Sequence, residues 1–172
     1  MKLEKDLILF LTKEIYERMK NCVRNSSPNE AFGLILGPAP KEIALSSPGE
    51  FQYHYIGEIF ECIKSSEASP VSFLIDNTPE LFKIIESAMK KYNQRLLSIF
   101  HSHPSGTHPS GFDLHYMKFL VESYKKLYNS KYKVRVGIKN QIWTIMDGNN
   151  FKMNGFIYLE EEIQQIQLII KD

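Results

Sequence analysis

The feature that most narrows what this chain can become lies past its midpoint, in the run His101-Ser102-His103-Pro104-Ser105-Gly106-Thr107-His108-Pro109-Ser110-Gly111-Phe112-Asp113. With His115 it gathers four of the five histidines into fifteen residues. The run is entered from Arg95 to Phe100, an apolar stretch of strand length. It is left through Asp113 to Asn129, where Leu114, Met117, Leu120, Val121 and Tyr124 recur at helical spacing. A strand therefore delivers a histidine-rich loop onto a helix. Side chains at i and i+2 of a strand point to one face, so His101 and His103 can share a cation, and a carboxylate from the following helix can complete the set. Zinc is the expected ion. Two imidazoles and one carboxylate leave a coordination position open, which is how a site that activates water is built. Such a site also needs a base that is not a ligand, and Glu30 is the candidate. It begins the buried, strand-like segment Glu30 to Leu36, closed by Gly37-Pro38, where an acid is expensive unless it has a task.

The rest of the chain supplies a sheet and its cover. Asp6 to Leu11 reads as a strand, followed by a helix with Ile15, Met19, Cys22 and Val23 on one face. Lys41 to Asp76 is rich in β-branched and aromatic residues, is cut by Ser46-Ser47-Pro48-Gly49 and by Ser65 to Pro70, and is expected to hold several strands. Thr78-Pro79-Glu80 opens an amphipathic helix, with a hydroxyl expected at the cap and Leu81, Ile84, Ile85, Ala88, Met89 and Tyr92 along one side. From Tyr132 onward, Val134/Val136/Ile138, Ile142/Thr144/Met146 and Ile166/Leu168/Ile170 read as strands, with Asp147-Gly148-Asn149-Asn150 between two of them. The last segment has a helical alternative because Glu160-Glu161-Glu162 precedes it. At 172 residues, with no internal repeat, residues 1–172 are expected to form a single domain of mixed α/β (α+β) class.

Composition removes several functions. With 43% hydrophobic and 24% charged residues the chain reads as globular, and 21 basic against 20 acidic residues give a net charge of +1, no field for nucleic acid. Apolar runs such as Leu7 to Leu11 are too short to span a bilayer, and Met1-Lys2-Leu3-Glu4-Lys5-Asp6 does not open a signal peptide, so a cytoplasmic location is expected. Cys22 and Cys62 lack the spacing of a zinc or redox pair and are read as buried or neutral thiols.

The site residues resemble those of a known family. His101-Ser102-His103-Pro104, then Ser110-Gly111-Phe112-Asp113, with Glu30-x-x-Gly33-x-x-x-Gly37 upstream, are similar to the motif of the JAMM (MPN+) zinc metalloproteases. Ile75-Asp76, the helix at Pro79-Glu80 and the strand into His101 follow the order of the stand-alone prokaryotic and archaeal members, relatives of the proteasome-lid deubiquitinase, over residues 6 to 147. The resemblance implies one zinc held by His101, His103 and Asp113, with water as fourth ligand. It further implies Glu30 as acid/base and Ser110 as a donor to the oxyanion. The implied fold is a curved, mostly antiparallel, cytidine-deaminase-like sheet flanked by helices.

The implied activity is hydrolysis of the amide or isopeptide bond after the tail of a ubiquitin-like modifier. Two alternatives are tail processing of a sulfur-carrier protein and a non-catalytic MPN scaffold. The modifier or carrier and its conjugates are the expected partners, a proteasome-like assembly is a further one, and no feature marks an oligomer seam. The tail is expected to pair with a strand near residues 58 to 76. One departure stands out: Pro104 to Pro109 are one residue fewer than the family usually places before the serine, although Ser110-x-x-Asp113 keeps its own spacing. His108 and His115 are read as a loop and a helix-surface residue, and His54 as a strand residue. Tyr116, Phe119, Tyr124 and Tyr128 are read as helix packing and surface rather than a base-stacking platform.

Overall fold

The computed structural model describes residues 6–128 and 141–172. The expected strand at Val134, Val136 and Ile138 lies outside the described residues. Those residues form strands β1 (Leu7–Thr12), β2 (Phe32–Gly37), β3 (Lys41–Ala44), β4 (Phe51–Ile56), β5 (Ile59–Ile63), β6 (Arg95–His103), β7 (Ile142–Asp147), β8 (Met153–Leu159) and β9 (Glu162–Lys171). The helices among them are α1 (Lys13–Ser26), α2 (Pro70–Asp76), α3 (Thr78–Tyr92) and α4 (Gly111–Tyr128). The strands make one sheet in the order β3-β4-β1-β9-β8-β7-β6-β2-β5. Only β4·β1, β1·β9 and β7·β6 are parallel; the other neighbours are antiparallel. The fold is thus the mixed, mostly antiparallel sheet with helices that the sequence implies.

Alternation along the strands distributes the core to two faces. Phe32, Leu34 and Leu36 of β2 join Leu81, Ile85 and Ala88 of α3 and Tyr116, Met117 and Leu120 of α4. Ala31 and Ile35 face the other way, toward Ile15, Met19, Cys22 and Val23 of α1. Each fully buried Leu or Ile in these layers contributes about 1.5–3 kcal/mol of apolar burial. Gly33 has a packing role: a Cβ there would lie 2.6 Å from the ring of Phe60 on β5. Thr12 caps α1, its Oγ1 accepting the Ile15 N–H at 3.2 Å.

Several expectations are corrected. The end of the supposed strand region is helix α2, because Pro70 in its first turn and Val71 and Leu74 at helical spacing dock on the core, overriding β propensity. Thr78 is the first residue of α3 and Asn77 is its cap, with no side-chain cap bond, so the hydroxyl does not cap the helix as expected. Leu114 is exposed, since Tyr116, Met117 and Leu120 define the buried stripe of α4. The final segment, by contrast, is strand β9 as its alternation reads, not the helical alternative, and it is entered through a turn at Glu160 and Glu161, both with positive φ. The two cysteines are not thiols. They form a Cys22–Cys62 disulfide with Cα atoms 5.8 Å apart, because α1 packs over β5 and brings residues distant in sequence together.

Candidate metal centre

Strand β6 lies inside the sheet between β7 and β2, and its last turn of alternation sets the site. It continues through His103, so both histidines are strand residues and not loop residues. Ser102 points to the opposite side, where its Oγ accepts the Ala31 N–H at 2.8 Å while its N–H donates to Ala31 O at 3.1 Å. That pair clamps the chain next to Glu30. The two imidazoles pack edge to face, with centroids 4.9 Å apart, and His101 also packs against Trp143 at 6.0 Å. His101 is 1% exposed, and its Nδ1 has no hydrogen-bond partner among the described residues. Packing therefore orients this ring.

The chain then turns through Pro104 to Pro109 into α4. Gly106 adopts φ +89, a left-handed conformation that a side chain would strain, and no atom lies where a Cβ would go. The loop is fastened to the turn between β7 and β8. Gly106 N–H donates to Asp147 Oδ2 at 2.7 Å, Gly148 N–H to His103 O at 2.9 Å, and Asn149 Nδ2 to Pro104 O at 2.8 Å. Asn154 Nδ2 adds a bond to Thr107 Oγ1 at 2.9 Å. Ser110 caps the helix in reciprocal fashion: Asp113 N–H donates to Ser110 Oγ at 3.2 Å and Ser110 N–H to Asp113 Oδ2 at 2.6 Å. The cap aims the Asp113 carboxylate back at the strand.

His101 Nε2, His103 Nε2 and the Asp113 carboxylate accordingly converge. The two Nε2 atoms are 3.0 Å apart, and they lie 3.0 and 3.1 Å from Asp113 Oδ1 and Oδ2. Ligands on a tetrahedral zinc at ordinary bond lengths sit about 3.3 Å from one another. The three side chains thus fit a cation that accepts imidazole and carboxylate donors, and the shortened loop does not keep them apart. Burial works against ionisation of Asp113. Hydrogen bonds from His101 and His103, with the Ser110 N–H, nonetheless hold its carboxyl well below the usual carboxylate range. The Asp113 bond raises the His103 pKa against the opposing effect of burial.

Glu30 lies two residues ahead of β2 rather than at its start, half-buried, with its N–H on Ala68 O at 3.0 Å. Its Oε2 accepts from Ser69 Oγ at 2.7 Å. Glu30, His103, Ser110 and Asp113 line one cavity of ≈ 180 Å³ with Phe112 and Tyr116. His108 and His115 are exposed and outside the converging group, and His54 lies on β4 against Phe10. Sequence reading missed Ser69, Ser102 and Asp147. The turn signal at Asp147-Gly148 is visible in the sequence, but its partners in the metal loop, Gly106 and His103, lie more than forty positions away.

Residues 12–154 match the family described as prokaryotic homologs of the JAB domain. The chain belongs to that family. The motif resemblance to the JAMM/MPN+ proteins and this match designate the same domain. No curated protein matches. This JAB-domain protein is similar in structure to a protein from Desulfitobacterium hafniense, with a TM-score of 0.60 and 22% identity over 96% of this chain and 93% of that one. A protein from Salinibacter ruber gives 0.50 and 10% over 94% and 90%. A JAB1/MPN domain protein from Archaeoglobus fulgidus gives 0.45 and 12% over 94% and 97%. The first two likenesses are of fold. No helix among the described residues of this family member is long and apolar enough to cross a membrane.

Proposed function

We propose that the protein is a zinc-dependent peptidase that hydrolyses the amide or isopeptide bond following the tail of a ubiquitin-like modifier. The convergence of His101, His103 and Asp113 within hydrogen-bond distance of one another carries this reading. When held by these three residues, zinc supplies Lewis-acid polarisation of a carbonyl and acidification of a water. Glu30 is the proton carrier. Ser69 occupies Oε2, which leaves Oε1 to accept a proton from water and return it to the departing amine. Ser110 Oγ spends a lone pair on the cap, so its hydroxyl hydrogen remains to donate to the carbonyl oxygen as charge develops there.

The narrow cavity suits a Gly-Gly tail. Among the described residues strand β5 ends the sheet order, so its outer edge offers main-chain groups to an extended tail. Phe112, 73% exposed on the cavity wall, gives apolar surface for the modifier's body.

The test is metal content beside turnover of a linear modifier precursor and a lysine-linked conjugate. The parent is expected to carry about one zinc per chain. Glu30→Gln is expected to keep the zinc and lose cleavage by about a hundredfold or more. A Glu30→Gln variant that cleaves like the parent removes Glu30 from the mechanism, and a parent that takes up no zinc makes the chain a scaffold. Preference for the precursor over the conjugate assigns it to tail processing.

A further inference from the structure

Glu30 and His103 line a second cavity besides the one they share with Ser110 and Asp113. It measures ≈ 430 Å³, and Arg24, Asn29, Pro104, Asn149 and Phe151 are among the residues that line it. Ser110 and Asp113 belong to the first cavity alone.

The wall has a definite chemistry. Phe151 adopts φ 59, in the left-handed region, where a bulky side chain is strained. The backbone is held there by Tyr16 OH, which donates to Phe151 O at 2.7 Å, and by Phe151 N–H, which donates to Asp147 O at 2.9 Å. Glycine or asparagine would adopt this conformation at less cost, so what phenylalanine adds is the ring. The Arg24 guanidinium carbon lies 4.8 Å from the centroid of that ring, and Lys20 Nζ lies 5.9 Å from it. Arg24 donates to Asn21 Oδ1 at 2.8 Å, and no carboxylate among the described residues pairs with it. A cation held over an aromatic platform, with donors to spare, is a receptor for a carboxylate.

We propose that this second cavity receives the amine side of the scissile bond and that Arg24, supported by Phe151, selects a carboxylate there. The inference rests on the proposed amide hydrolysis. Ser110 receives the carbonyl oxygen in the first cavity, and Glu30, which protonates the departing amine, opens on both, so the amine leaves toward Arg24. The carboxylate is either the acidic side chain of the residue whose amine departs or that residue's own α-carboxylate.

The experiment uses a modifier precursor ending in Gly-Gly followed by one residue. Four probes are made: Glu, Gln and Lys with amidated ends, and Ala with a free carboxylate. Affinity is read on the full-length Glu30→Gln protein by fluorescence anisotropy, and kcat/KM on the zinc-loaded parent.

The expected result is a preference for Glu over Gln of roughly five-fold, weakening with salt, as suits an exposed charge pair. Arg24→Gln and Phe151→Asn reduce the ratio toward one, and asparagine tolerates the left-handed backbone, so folding is preserved. Arg24→Glu shifts the preference to Lys, an inversion that a merely structural role would not produce. A preference for the free-carboxylate Ala probe over amidated Gln, in place of the Glu preference and abolished by Arg24→Gln, also supports the subsite and assigns its ligand to the α-carboxylate. Equal ratios in the parent and all Arg24 variants overturn it. If the parent cleaves nothing, the anisotropy ratios still decide the subsite, while the hydrolase reading falls separately.

Discussion

His101 and His103 stand on a strand with neighbours on both sides, whereas Asp113 and Ser110 stand on the first turn of a helix reached only through the loop Pro104 to Pro109. On the strand side, position follows from the sheet ladder and from the His101 ring packed against Trp143 and His103. On the helix side it follows from a handful of polar bonds: the reciprocal Ser110–Asp113 cap and the ties of the loop to Asp147, Asn149 and Asn154. One half of the site is thus a by-product of the core, and the other is positioned by contacts that could be removed without unfolding the sheet. This also explains how a loop one residue short still delivers its carboxylate: serine and aspartate travel together on the helix turn, and the ties from Asp147 and Asn149 are made to backbone groups of the loop.

The largest effects come from the ligands. His103→Ala and Asp113→Ala are each expected to weaken zinc binding by about a hundredfold or more, measured by competition with a chelating dye. The two should differ in hydrogen exchange. Amides of residues 111–114 exchange faster in Asp113→Ala, which loses half of the cap, and not in His103→Ala. Equal exchange in both would break the comparison.

Next is Asp147→Asn, expected to lower zinc affinity by about tenfold while leaving the amides of β6 unchanged. Bonds from Gly106 and Asn149, aided by Asn150, hold the Asp147 carboxyl below the ordinary carboxylate range. A carboxyl depressed in the folded state contributes stability above its unfolded pKa, about 3.9, and loses it as pH falls through the lower folded value. The stability gap between parent and Asn variant, followed by urea unfolding, should therefore be full near neutral pH and close under acid. Ser110→Ala removes the cap acceptor and should cost about 1 kcal/mol in the same assay. His115→Ala, exposed on α4, should change stability by no more than about 0.5 kcal/mol and leave zinc uptake alone.

Legibility in the sequence divides along the same line. His101 and His103 could be read because strand alternation is local, and Ser110-x-x-Asp113 because a capping turn is local. The helices over Lys13–Ser26 and Thr78–Tyr92 declared themselves by periodicity. What stayed hidden depends on distant pairing. Asp147 looked like a turn residue, and its bond to Gly106 exists only because β6 and β7 are parallel neighbours. Ser69 sits thirty-nine positions from Glu30 and meets it only because α2 folds back as a helix where strands were expected. Cys22 and Cys62, read as thiols from their number and spacing, pair because α1 crosses β5, which composition cannot reveal.

The parallel pairing of β1 with β9 has a mechanical consequence. In register from Ile8 opposite Gln167 to Thr12 opposite Lys171, the two strands run the same way. A force drawing Leu7 and Lys171 apart therefore pulls them in opposite directions along their common axis. Every rung of that ladder bears load at once, in shear rather than by unzipping, and rupture requires the bonds to fail together. Beyond that rupture the Cys22–Cys62 link, with a sequence separation of 40, still withholds the chain it encloses, roughly 130 Å of contour, from extension until the bond is reduced.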